Sequence, residues 1–199
     1  MRNLNDDDSD APLRLQDDSP YRTDDAGLRR NIELKARDPD RARSFAACED
    51  IGAAPQGVLL QQDTFFQAPH GRLKLREEEG ARPHLIGYER SDLLGGRGSR
   101  YRIVEVDRPE ELKAALRSAL GLKAVVTKKR RLFLWEGVRI HLDQVAGLGD
   151  FIEFEAIADA TSDLSRQEAK VARLRQAFEI GDADLVGGSY CDLASEGTS

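Results

Sequence analysis

Asn31-Ile32-Glu33-Leu34-Lys35-Ala36-Arg37 alternates strictly, with Glu33, Lys35 and Arg37 on one side of an extended chain and Ile32, Leu34 and Ala36 on the other. Four later segments repeat this pattern. Arg72, Lys74 and Arg76 share a face opposite Leu73 and Leu75. Lys128 and Arg130 share one, as do Arg139, His141 and Asp143, and as do Glu153 and Glu155. Each strand alone could be the wet face of a half-buried sheet. Taken as a set they differ from one, because two strands carry only cations and one carries a Glu-x-Glu pair. Like charges crowded along a strand repel unless a counter-ion lies between them. The pattern therefore predicts a sheet curled around a charged interior. Arg and Lys are the usual partners of phosphate oxygens, and a carboxylate pair suits a hard divalent cation.

Outward from these segments, the strands are expected at 31–37, 57–67, 72–79, 84–91, 100–107, 125–134, 138–145 and 151–158. Asp38-Pro39 offers a cap and a first helical position for a helix running to Ile51, with Gly52 at its end. Arg108-Pro109-Glu110-Glu111 opens a second helix ending at Gly121, and a third covers 164–178. Leu94–Gly98 is a Gly-rich loop, Trp135-Glu136-Gly137 a tight turn, and Ser189–Leu193 a short strand or turn. Eight antiparallel strands of this length close naturally into a barrel. The fold class is α+β, an eight-stranded antiparallel barrel or tunnel with about three flanking helices.

The chain of 199 residues is 40% apolar, enough for one domain over 28–195. Residues 1–27 carry eight acids and three bases; of the overall net charge of −6 they hold −5, leaving the body near −1. Their Asp, Ser and Pro content is that of a disordered acidic tail. Cys48 and Cys191 match no metal or redox spacing and read as free thiols in a reducing, cytoplasmic setting. No apolar run approaches the ~18–20 residues of a membrane span. The low aromatic share, 6%, speaks against single-stranded nucleic acid as partner. There is no GxGxxG, Walker A loop or Ser/His/Asp arrangement. His70, His84 and His141 are read as structural or surface groups, with only His141 phased towards the charged face.

In order along the chain, Asn31-Ile32-Glu33-Leu34-Lys35, Gln62-Asp63-Thr64-Phe65-Phe66, Leu73-Lys74-Leu75-Arg76, Lys128-Lys129-Arg130, His141-Leu142-Asp143, Leu148–Glu155 and Ser189-Tyr190 together resemble the CYTH superfamily, the triphosphate tunnel metalloenzymes. The resemblance implies a triphosphate along the barrel axis and Mg²⁺ or Mn²⁺ on Glu33, Glu153 and Glu155. Lys35, Lys74, Arg76, Lys128 and Arg130 would hold phosphates, with Arg72, Arg90, Arg102 and Arg139 as weaker additions. Lys35, Asp143 and Glu153 would be the catalytic set. Asn31 replaces the first Glu of the family's opening signature, and Gly187-Gly188 stand where a lysine often precedes the final Ser-Tyr. The implied activity is class IV adenylyl cyclase-like, converting ATP to cyclic AMP and pyrophosphate. Two alternatives stay open: a phosphohydrolase of tripolyphosphate or thiamine triphosphate, and a catalytically weak polyphosphate- or nucleotide-binding module. No nucleic-acid or membrane partner is expected, and a homodimer is compatible with this reading.

Overall fold

The computed structural model of the chain describes residues 28–90, 96–159 and 162–196. The expected tail, 1–27, lies outside the described residues. Eight strands, β1 (Arg29–Arg37), β2 (Ala54–Phe66), β3 (Arg72–Glu78), β4 (His84–Arg90), β5 (Arg97–Glu105), β6 (Leu122–Trp135), β7 (Val138–Val145) and β8 (Gly149–Ala158), close into an antiparallel barrel. Their order around it is β1-β5-β4-β3-β2-β6-β7-β8, and β8 returns to β1. Four helices flank it: α1 (Arg41–Asp50), α2 (Pro109–Leu120), α3 (Ser165–Ala177) and α4 (Tyr190–Glu196). Among the described residues no helix is long and apolar enough to cross a membrane.

The barrel is built inside out. Ile32, Leu34 and Ala36 of β1 join Val138, Ile140 and Leu142 of β7 and Ile152, Phe154 and Ala156 of β8 in the main apolar core. Cys48 of α1 and Val171, Leu174 and Phe178 of the α3 region complete it. This core lies on the outer face of the wall, beneath α1 and α3, and period-two alternation sends the intervening charged residues to the axis. Both faces of β1 are consequently buried. Phe154 and Phe178 meet edge to face at 5.1 Å in the centre of this layer. Phe154→Ala is expected to cost about 3–5 kcal/mol, read as a shift in the urea midpoint at constant m. A change under about 1 kcal/mol would show that the layer re-closes. The opposite wall is less covered. α2 buries no residue of its own, and Leu60 and Val125 stay 47% and 49% exposed.

Turn chemistry sets the register of the β6–β7 hairpin. Glu136 and Gly137 both have positive φ (46° and 79°), the requirement of a two-residue connection that matches strand twist. Three expectations are corrected. The cap of α1 is Asp40, in extended backbone, whose carboxylate accepts from Arg43 N–H; the helix begins at Arg41 rather than Pro39, and the Asp38 carboxylate is taken up by Ser44 Oγ at 2.8 Å. β5 begins at Arg97, so Arg97 and Gly98 of the expected Gly-rich loop are strand. Gly98 sits opposite Ile32, where a Cβ would touch Leu164. Leu94 and Gly95 lie outside the described residues. The expected strand or turn at 189–193 is the start of α4, opened by a cap in which Ser189 N–H and Oγ–H both donate to the Asp192 carboxylate. Cys48 and Cys191 are both buried free thiols.

Candidate functional site

The axis-facing side chains come from strands that the outer core holds in fixed register. Across β1, β8 and β7, Lys35 pairs with Glu153 and Glu153 with His141. One step along, Glu33 pairs with Glu155 and Glu155 with Arg139. On the far wall β2 lies between β3 and β6, so Asp63 stands opposite Arg76 on one side and Val126 on the other, with Lys74 and Lys128 close by. The structure brings Glu33, Lys35, Lys74, Arg76, Lys128, Arg130, Asp143, Glu153 and Glu155 into the barrel interior. Arg72 enters it with its guanidinium on Asp192 at 2.9 Å, and Arg139, 38% exposed, stands at the acidic end. Arg37, expected on the charged face, is exposed and donates to the Leu148 carbonyl. Arg102 is exposed, in the phase alternate to Tyr101 and Ile103, and so lies on the outer face. The Arg90 side chain lies outside what the structure describes.

Charge inside the barrel is segregated. On the cationic wall the Asp63 carboxylate accepts from Lys74 Nζ at 2.9 Å, from Arg76 Nε and Nη2 at 2.7 and 2.8 Å, and from Lys128 Nζ at 3.3 Å. Burial favours a protonated Asp63, but Arg76, Lys74 and Lys128 outweigh it and hold the carboxyl well below the usual range. Burial acts on the lysines too. With Arg76 beside it, Lys74 is pushed down to about 8 against the pull of Asp63, and Lys128, beside Arg130, to about 7. At the centre Arg130 makes a two-pronged ion pair with Asp143, 2.7 Å from each nitrogen, and Tyr190 O–H donates to the same carboxylate at 2.9 Å.

On the acidic wall Glu153 is 3.7 Å from Lys35 Nζ and 3.6 Å from Arg130 Nη2. These cations overcome burial and hold its carboxyl well below the usual range. Glu155 accepts from Asn31 Nδ2 at 2.9 Å and from Arg139 Nη1 at 3.4 Å. His141 is pushed down to about 3 by burial and by Arg130, so its ring is neutral at pH 7.

Glu33, Glu153 and Glu155, with the buried and unpartnered Asn31 Oδ1, form a set of hard oxygen donors suited to Mg²⁺ or Mn²⁺. Among the described residues no three His, Cys, Asp or Glu side chains are gathered tightly enough to hold a metal alone. Such a set fits a cation that also takes oxygens from water and from a bound phosphate, as Mg²⁺ commonly does.

Two interior residues escaped the charge-stripe reading. Asp63 was hidden because the inward face of β2 reads Leu59, Gln61, Asp63, Phe65 and makes no stripe. Tyr190 packs against Phe151 at 5.0 Å and lies under Lys35 at 4.0 Å, delivered by a helix where a short strand or turn was expected. With Cys191 it joins the inward-facing Phe65, Val126, Val145 and Phe151 in an apolar cluster.

A closed antiparallel barrel with an ion-lined axis defines a tunnel protein. The chain belongs to the CYTH family, whose domain model matches residues 29–190. Solved structures share the fold at low identity. A protein of Pyrococcus horikoshii is 21% identical with a TM-score of 0.67, over 82% of this chain and 98% of its own. A candidate adenylate cyclase of Vibrio parahaemolyticus is 21% identical with a TM-score of 0.67, over 83% and 97%. A candidate adenylyl cyclase of Hippeastrum, described as having a dominant triphosphatase activity, is 17% identical with a TM-score of 0.60, over 85% and 96%. No curated protein sequence matches the chain.

Proposed function

We propose that this protein is a divalent-metal-dependent enzyme that cleaves a triphosphate held along the barrel axis. The carrying observation is the set of cations from three strands, Lys35, Lys74, Arg76, Lys128 and Arg130, all directed at one interior that also contains the carboxylates Glu33, Glu153 and Glu155. Phosphoryl transfer is mostly positioning and charge neutralisation, and these residue types supply both. Lys74, Arg76 and Lys128 would grip one end of the phosphate chain, with Arg130 and Lys35 further along. Arg72 and Arg139 would mark its limits. Asp143, with both oxygens occupied, acts by fixing Arg130. Glu33, Glu153 and Glu155 would hold Mg²⁺ or Mn²⁺, which would neutralise charge developing on the reacting phosphate.

Hydrolysis of a terminal phosphate is the reaction this interior serves most directly, since it asks only for contacts to the phosphates. The activity named for the Hippeastrum relative is in line with it. Cyclisation of ATP, the second reading, needs a place for the base. Tyr88, with Arg72 and Lys74 at 6.0 and 5.8 Å from its ring, is the observation that favours it, as a ring on which a base can stack. The test is turnover of ATP, inorganic tripolyphosphate and thiamine triphosphate with Mg²⁺ or Mn²⁺, with products separated. Orthophosphate is the expected product. Cyclic AMP with pyrophosphate would replace hydrolysis by cyclisation, and tight binding without turnover would make the protein a binding module.

A further inference from the structure

The reaction above leaves Asp63 without a task, although it is 1% exposed and the most heavily engaged acid of the interior. Three cations from the two strands flanking β2 converge on this one carboxylate. Stability alone is a poor reason for such a cluster, because buried ion pairs are often no better than well-packed apolar residues. Its geometry has a directional effect. Arg76 spends its Nε–Nη2 edge on Asp63, which turns the opposite edge of the guanidinium away from β2. Lys74 and Lys128 each spend one of three N–H groups there and keep the others for a ligand.

We propose that Asp63 is a positioning residue for the triphosphate, the built-in counter-ion that holds Lys74, Arg76 and Lys128 as one oriented, charged cradle. This rests on the triphosphate reading and extends it to a residue that touches no substrate atom. The charged and titratable groups around the two lysines are Asp63 of β2, Arg76 of β3, Arg130 of β6, Asp143 of β7, Glu153 of β8 and Tyr190 of α4. Of these, Asp63 is the anion in direct contact with both ammonium groups. Its negative charge offsets the burial and the neighbouring arginines that favour the neutral amines. Without it Lys74 and Lys128 lose protons at lower pH, and a phosphate then meets two neutral amines.

The experiment compares wild type, Asp63→Asn and Asp63→Glu in kcat and KM for tripolyphosphate across about pH 6 to 10, with calorimetric binding of tripolyphosphate alongside. Asp63→Asn is expected to raise KM about ten-fold or more at pH 8 while kcat changes less than about three-fold. The alkaline limb of 1/KM should move acidward by about one pH unit. Asp63→Glu, which keeps the charge, should return the limb towards wild type. An unmoved limb and KM in Asp63→Asn, with only a lowered Tm, would reduce Asp63 to a structural ion pair. Tighter binding by Asp63→Asn would also overturn the proposal, by showing that the carboxylate competes with the ligand. Should Asp63→Asn fail to fold, Lys128→Arg tests the same link. An arginine keeps its proton, so the part of the alkaline limb due to Lys128 should vanish, and its persistence overturns the proposal. Absence of tripolyphosphate binding by wild type would overturn the triphosphate reading together with this one. Wild-type binding with an unmoved limb overturns this one alone.

Discussion

Alanine at position 153 is expected to lower metal-dependent kcat by on the order of 10³-fold while the barrel stays folded. Glu153 is ionised at neutral pH because Lys35 and Arg130 overcome the burial that would protonate it. It is therefore an anionic oxygen donor on the axis, and its nitrogen partners Arg130, Lys35 and His141 lie at 3.6–3.9 Å, longer than the bonds that lock Asp63 and Asp143. Those loose contacts leave its lone pairs open to a cation in a way that the two buried aspartates do not. Stability should fall by only about 1–3 kcal/mol, since Arg130 keeps Asp143 when Glu153 is removed. Glu153→Gln should show the same kinetic loss with a smaller fall in Tm, because the amide preserves volume but donates no charge to the metal. The measurements are kcat with saturating Mg²⁺ or Mn²⁺, calorimetric titration of the metal in the presence of a non-hydrolysable triphosphate, and thermal unfolding. An unchanged kcat would remove Glu153 from the metal set.

Most of the barrel wall was legible because a charged axis imposes alternation on strands of both signs. Glu33 and Lys35, Lys74 and Arg76, Lys128 and Arg130, and Glu153 and Glu155 were each phased to one face from sequence, and closure of the sheet places those faces inside. Which face is interior is a property of closure and of where α1 and α3 lie, and no single strand encodes it. Asp63 shows the limit: Val58-Leu59-Leu60 precedes it as a continuous apolar run, so alternation is weak where β2 is sandwiched between β3 and β6. Its importance is non-local, made by residues 11, 13 and 65 positions away. α4 is the opposite case. Ser189-x-x-Asp192 is a local helix-start signal inside the stretch expected as strand or turn, and the helix it opens delivers Tyr190 to the axis. Arg102, a weaker addition implied by the resemblance, shows that phase within the strand decides, since its position alternate to Tyr101 sends it outward.

A loss of stability as large as that of Phe154→Ala, but with its own pH dependence, is expected from Arg130→Ala. Asp143 is 0% exposed, and both its oxygens are held by Arg130 at 2.7 Å. Burial would raise its carboxyl, but Arg130 brings it down to about 2 from a usual 3.8. A depressed carboxylate stabilises the fold above its unfolded pKa, and that contribution, about 2 kcal/mol, is lost as pH falls through about 2. Removing Arg130 leaves the charge buried, with Tyr190 O–H as its remaining close donor in this pair, and also takes one cation from Glu153. The loss at pH 7 should be about 3–5 kcal/mol. Its pH dependence should also reverse. The stranded carboxyl now titrates above its unfolded value, so the native state binds the extra proton and the variant gains stability as pH falls from 7 towards 5. Urea unfolding at both pH values measures this, and a slope equal to that of wild type would show that Asp143 has found another partner. Replacing both members, Arg130→Met with Asp143→Leu, should recover much of the stability, as apolar replacement of a buried pair often does. If that double variant folds but no longer binds tripolyphosphate, the pair is retained for what it presents to the axis, and the apolar core outside the barrel wall is sufficient to hold the fold.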